Sequence, residues 1–104
     1  MLFIIQTELF QSWLSKLKDL QGKAAIIHRI NRAKNGNFGD HKSVGDGVYE
    51  MRIPKGPGYR VYYAKKKEIT YILILGGNKS TQQEDIKKAK ELWQEIKKQE
   101  NEND

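Results

Sequence analysis

The run Val48–Leu75, VYEMRIPKGPGYRVYYAKKKEITYILIL, constrains the fold more than any other part of the chain. Successive side chains of a strand point to opposite faces. Over residues 48–53 this puts Tyr49, Met51 and Ile53 on one face and Glu50 and Arg52 on the other. Proline and glycine punctuate the turn Pro54–Gly58. Tyr59, Val61 and Tyr63 then alternate with Arg60, Tyr62 and Ala64, a second turn is expected over Lys65–Glu68, and Ile69–Leu75 is apolar on both faces, as a central strand is. A meander of this kind needs a sheet covered by something apolar, and the flanking sequence supplies it.

Residues 2–6 read as a short strand and Thr7 as a helix cap. Leu9, Phe10, Trp13, Leu14, Leu17 and Leu20 recur at helical spacing. A second helix fits 22–34, with Ile26, Ile27, Ile30 and Ala33 on one face, and Asn35-Gly36 ends it. The short link between the helices predicts an antiparallel pair. Lys42–Val44 suits a short edge strand. Ser80-Thr81-Gln82-Gln83 has the form of a capping box, opening a helix whose Ile86, Ala89, Leu92, Trp93 and Ile96 form one stripe. The fold class is therefore α+β in the order β-α-α-β-β-β-β-α: a small antiparallel sheet, an N-terminal helical hairpin and a C-terminal helix, with the helices mainly on one face. The 104 residues suffice for one core, so a single domain over 1–99 is expected, with a polar, disordered tail over 100–104.

The chain carries a net charge of +6 and no cysteine, which excludes disulfides and thiolate metal sites. No signal peptide or membrane-length apolar run is apparent, and the cytoplasm is the default compartment. Residues 42–67 hold seven basic groups against Asp46 and Glu50, whereas the last five residues hold three acids. A basic middle suits a polyanion, nucleic acid being the commonest; it also suits a solvated face kept for solubility.

Across the Pro54–Gly58 turn, Arg52, Arg60 and Tyr62 fall near one another on the face away from Val61, with Lys55 in the turn and Lys79 beyond the apolar strand. Arginine grips phosphate oxygens with its planar fork, and a tyrosine ring can stack a base. The same arginines can equally pair with Glu50 and other acids. Tyr59 and Tyr63 read as core. His41 lies beside Lys42 before the sheet, while His28 reads as structural. Neither histidine has a partner at metal-ligand spacing, and Gly76-Gly77 before Lys79-Ser80 lacks the first glycine of a phosphate-binding loop, so no metal or other cofactor is expected.

The runs KSVGDGVYEMRIPKGPGYRVYY and LILGGNKSTQQEDIKKAKELW, with WLSKLKD and GKAAIIHRINRAKNGNFGD, resemble bacterial toxins of the RelE/ParE superfamily, and most of all the HigB-like branch of addiction module killer proteins. The resemblance covers nearly the whole chain. It implies a RelE-like fold and the toxin of a type II toxin–antitoxin module, acting as an mRNA interferase at the ribosome by metal-free chemistry. The arginine in the context YRV contacts the scissile phosphate in RelE-like toxins, which points to Arg60. Arg52, Lys55 and Lys79 match further basic positions. A C-terminal tyrosine found in some of those toxins is missing, so the proton acceptor stays open among Lys55, His41 and Tyr62. Lys42, Lys65 and Lys66 are candidates for RNA contact. The implied partners are mRNA, the ribosome and a cognate antitoxin, of helix-turn-helix type by family habit, through which alone operator DNA would be met. Two other readings stand beside this one: a ParE-like poison of DNA gyrase, and a non-catalytic RNA- or ribosome-binding module.

Overall fold

The computed structural model describes residues 1–103. The element order is the one read from the sequence: β1 (Phe3–Gln6), α1 (Glu8–Lys16), α2 (Leu20–Lys34), β2 (His41–Gly45), β3 (Val48–Ile53), β4 (Tyr59–Lys67), β5 (Thr70–Gly77) and α3 (Gln82–Asn103). The five strands form one sheet in the order β1-β5-β4-β3-β2. Pairing is antiparallel from β2 to β5, while β1 joins β5 in parallel. That parallel edge is possible because α1 and α2 carry the chain back across the sheet between β1 and the meander.

Helices cover both faces, not mainly one. Phe10 of α1 and Ile26, Ile30 and Ala33 of α2 pack with Met51, Ile53, Tyr59, Val61, Tyr63 and Leu73. Ala89 and Trp93 of α3 pack with Val48, Tyr62, Ala64, Ile72, Ile74 and Leu75. Alternate residues of β4 thus feed two separate cores. A bulge in β5 keeps the register: Tyr62 faces Leu75 and Tyr63 faces Leu73, with Ile74 the extra residue.

The helix ends differ from the expected ones for local reasons. Thr7 caps α1 as expected, its hydroxyl accepting from Phe10 N at 3.0 Å, and it also donates to Ile74 O at 2.8 Å, tying α1 to β5. Leu20 does not extend the first stripe. Asp19 accepts from Gly22 N at 3.0 Å and starts α2 at Leu20, which is left exposed, and Ile27 is exposed as well. Before α3 the cap is Asn78 rather than Ser80. Its side chain accepts from Ser80 N at 2.9 Å and opens a 3-10 turn, Lys79–Thr81, that leads into the helix. Strand β4 continues through Lys67, so the turn falls at Glu68–Ile69, and β2 already begins at His41. Helix α3 runs into the stretch read as a tail; of that stretch, Asp104 lies outside the described residues.

Candidate functional site

Strands β3 and β4 bring Arg52 and Arg60 into direct cross-strand register, and Gly77 of β5 flanks Arg60 on its other side. The turn between these strands ends at Gly58, whose φ of +79° favours glycine. A Cβ on Gly58 would lie 3.1 Å from Arg60 Nη1 and 3.4 Å from the Lys79 Cβ, so the bare backbone lets the three residues approach. Lys79 N donates to Pro57 O at 3.3 Å, which joins the start of the 3-10 turn to the hairpin. Arg52 and Arg60 line an open cleft of about 300 Å3 with Asp40, Ile53, Pro54, Gly58 and Tyr59. Lys55 is exposed in the turn, its carbonyl accepting from Gly58 N at 3.0 Å.

Arg60 is held rather than waving in solvent. Its Nη1 donates to Gly58 O at 2.6 Å, and its Nε lies 3.6 Å from Glu50 Oε2. Its side chain is 12% exposed, whereas Glu50 is wholly buried. Burying a carboxylate is costly unless it is paired and hydrogen-bonded. Here Oε2 also accepts from Tyr62 OH at 3.1 Å and from Gln82 Nε2 at 2.8 Å. The first residue of α3 therefore helps to fix the charge that orients Arg60. Asp85, one turn further on, sits over Gly77, which has no side chain to obstruct it.

Arg52 differs. Its side chain is 39% exposed and its Nη2 bonds Asp40 Oδ1 at 2.8 Å, an arrangement that holds its pKa above the ordinary guanidinium value. An exposed pair of this kind contributes little to stability, and an incoming anion can displace the carboxylate. The loop bearing Asp40 is fastened from beneath by Arg29. This buried guanidinium donates to Arg52 O at 2.6 Å, Phe38 O at 2.9 Å and Asp40 O at 3.2 Å. Burial pushes its pKa down.

Three expected site residues do not join this cleft. Tyr62 shares the face of Arg60 as the alternation requires, but α3 covers it completely, so it offers no ring for stacking. Burial first, then the neighbouring Glu50, pushes its phenol well above the usual range. His41 faces Met51 across the sheet, which places it on the opposite face from Arg60. Lys65 is also on that reverse side, in register with Tyr71. Of the remaining lysines, Lys42 is exposed on the edge strand opposite Glu50, and Lys66 is ion-paired with Glu100 of α3. The pairing of Arg60 with Glu50 is among the sequence expectations, but the burial of Glu50, which depends on where α3 lies, is not, and Arg29 escapes the sequence because it looks like any basic residue of a helix. The alternation of β3 did hold one signal, since it places Glu50 on the face of Tyr62 and Arg60.

Among the described residues no three His, Asp or Glu side chains cluster as a metal site, and no helix is long and apolar enough to cross a membrane. What the cleft can do is hold an anion between two arginines.

Residues 12–98 match the model of the family described as phage derived protein Gp49-like (DUF891). An uncharacterized protein of Haemophilus influenzae (strain ATCC 51907 / DSM 11121 / KW20 / Rd) is 58% identical over 87 residues, which is 84% of this chain and 88% of that protein. The matched segment begins within α1 and takes in α2, the meander and most of α3, and so includes Arg52, Arg60 and Lys79 together with Glu50 and Gln82. The chain belongs to the phage-derived Gp49-like family, a family of toxins of the RelE/HigB type.

Proposed function

We propose that this protein is the toxin of a type II toxin–antitoxin module and that it inhibits translation by cutting mRNA, at the ribosome, without a metal cofactor. The observation that carries the reading is the constrained pair Arg52–Arg60 beside Lys79, with Arg60 Nη1 donating to Gly58 O and its guanidinium ion-paired with the buried Glu50. In the reaction the 2′-hydroxyl oxygen of one nucleotide attacks the adjacent phosphorus. The new O2′–P bond closes a 2′,3′-cyclic phosphate while the P–O5′ bond breaks, and the leaving oxygen takes up a proton to end as a 5′-hydroxyl. The nucleophile is internal to the substrate, so the protein has to position the backbone, accept and return a proton, and stabilise the charge gathering on the phosphoryl oxygens.

Arg60 is assigned to that charge. A guanidinium already held in place spends nothing on reorganisation as the transition state forms. Arg52 supplies a second fork once Asp40 is displaced, and Lys79 meets the leaving group. With Tyr62 enclosed and His41 on the far face, Lys55 in the exposed turn is the remaining candidate of the three. Arginine itself stays protonated and is no base. The antitoxin covers the cleft with an acidic segment, its carboxylates taking the place of Asp40 opposite Arg52 and Arg60.

Mapping of RNA 5′ ends shortly after induction, wild type beside Arg60→Ala, tests the reading. New 5′-hydroxyl ends within coding regions, lost in the variant, are expected. Growth arrest without new ends would refute it in favour of gyrase poisoning, and RNA binding without new ends would favour a non-catalytic module.

A further inference from the structure

The reverse face of the sheet carries an open pocket of about 230 Å3, lined by Phe38, His41, Tyr49, Tyr63, Lys65 and Tyr71. Its rings are ordered as a stack. Tyr63 lies 4.8 Å from Phe38 at an interplanar angle of 8°, and 5.6 Å from Tyr49 at 23°. Tyr71 closes one side, tilted by 52° against Phe38. Tyr63 is 2% exposed, but Tyr49 at the outside of the stack is 37% exposed. An aromatic stack whose last member is open to water offers its free surface to another planar ring.

Lys65 makes the rim basic, and among the described residues no acidic side chain lines the pocket. Lys65 is exposed. His41 is exposed as well, its Nδ1 donating to Gly39 O at 2.8 Å, which leaves Nε2 as an acceptor toward a ligand. The site is also pre-set, because Arg29 grips the carbonyls of Phe38 and Asp40 on either side of Gly39. An apolar peptide would use the rings and leave Lys65 idle. A nucleotide uses both, its base on the rings and its phosphate on the rim. The pocket is also joined to the cleft. Asp40, which pairs with Arg52, and His41, which lines the pocket, are consecutive residues at the start of edge strand β2. Lys42 follows on the cleft-side face of the same strand.

We propose that this pocket takes a base of single-stranded RNA, stacked on Tyr49 with its phosphate against Lys65, so that one strand rounds the edge of β2 and occupies both faces of the sheet. The inference rests on the reading that RNA is the substrate, but its test does not require cleavage. Affinity is measured for a short single-stranded RNA made uncleavable by 2′-O-methylation, and for the same strand with abasic positions. Tyr49→Ala is expected to weaken binding of the intact strand roughly 5- to 150-fold, the range found for loss of one stacked base. Tyr49→Phe restores the affinity. Lys65→Gln, at an exposed position that the fold does not depend on, weakens binding less, and Arg60→Ala adds to either loss. Equal affinity for intact and abasic strands overturns the proposal, as does unchanged affinity in both Tyr49→Ala and Lys65→Gln; the rings would then be a structural cluster or the seat of a protein partner. Binding that depends on Tyr49 in a protein that makes no new RNA ends would refute the nuclease and keep the pocket. Cleavage with no dependence on Tyr49 or Lys65 would do the reverse.

Discussion

Arg60 and Glu50 show how one buried pair sets the character of a site. With Glu50 wholly enclosed, the only compensation for its charge is local: Arg60, the Tyr62 hydroxyl and the Gln82 amide. Removing one partner of such a pair leaves the other uncompensated, at a cost of about 3–5 kcal/mol. Glu50→Ala is therefore expected to lower the free energy of unfolding by about that amount, measured by urea denaturation. Glu50→Gln keeps the shape and loses the charge that draws Arg60 inward. Its single-turnover cleavage rate should fall toward that of Arg60→Ala, while the fold and the KM for RNA change little. Undiminished cleavage in Glu50→Gln would remove Glu50 from the positioning of Arg60. Tyr62→Phe deletes one charge-assisted hydrogen bond to the same carboxylate and is expected to cost about 1.5–3 kcal/mol.

Elements are held to the sheet by close approaches that leave no room for a side chain. Gly76 lies in β5 directly under Trp13 of α1, and a Cβ there would fall inside the indole ring. Gly76→Ala must push α1 off the sheet or bend β5, so a loss of about 1–3 kcal/mol is expected from the overpacking. A melting temperature equal to the wild type's would show that α1 is more loosely seated than this. The α1–α2 link is fixed by another device. Asp19 caps α2 and also accepts from Tyr59 OH at 2.9 Å. The Gly22 amide, and then the Tyr59 hydroxyl, hold the Asp19 pKa below its ordinary 3.8. The folded state thus takes up this proton less readily than the unfolded chain. Its stabilising contribution is complete above 3.8 and is lost as the pH falls through the depressed value. For Tyr59 the sign is opposite. Burial, then Asp19, raises its pKa above 10, so its contribution is complete below 10 and disappears as the pH rises through the folded value. Asp19→Asn should flatten the acid limb of the stability profile, and a limb as steep as the wild type's would remove Asp19 as its source.

At the scale of the whole molecule, a chain of net charge +6 presents cations on both faces of one sheet. Arg52 and Arg60 stand on the side of α3, with Lys79 beside them, and Lys65 stands on the other side. Single-stranded RNA binding releases counterions, and log K falls with log salt by roughly 0.7 for each phosphate neutralised. With Arg52, Lys55, Arg60 and Lys79 engaged, a slope of about −3 is expected, and Arg52→Gln should reduce it by about one phosphate's share. Lys66 is already paired with Glu100, so Lys66→Gln should leave the slope nearly unchanged. A slope near zero in the wild type would argue that the cleft does not bind the RNA backbone. The complex with an acidic antitoxin segment should be salt-sensitive in the same way.

The alternation of β3 and β4, the helical stripes and the turn chemistry at Pro54–Gly58 determine the element order, and they place Arg52 beside Arg60, because strand periodicity and a tight turn are local properties of the chain. The caps show the limit of local reading: Asn78 and Ser80 both suit a helix start, and the choice falls to Asn78 where the backbone leaves β5. Beyond that, long-range packing decides. The parallel pairing of β1, the placing of α3 over the face opposite α1 and α2, and the bulge at Ile74 have no local signal, since each depends on what arrives from elsewhere in the chain. Those same choices bury Tyr62, which the alternation alone offers as a stacking ring, and enclose Glu50, which it offers as a surface acid. His41 and Lys65 lie on the far side by register and alternation instead, His41 opposite Met51 and Lys65 two residues after Tyr63. The charge of Arg60 was legible in the sequence, but what holds it in place was not, because solvent exclusion at Glu50 is created by α3 and not by the strand that carries it.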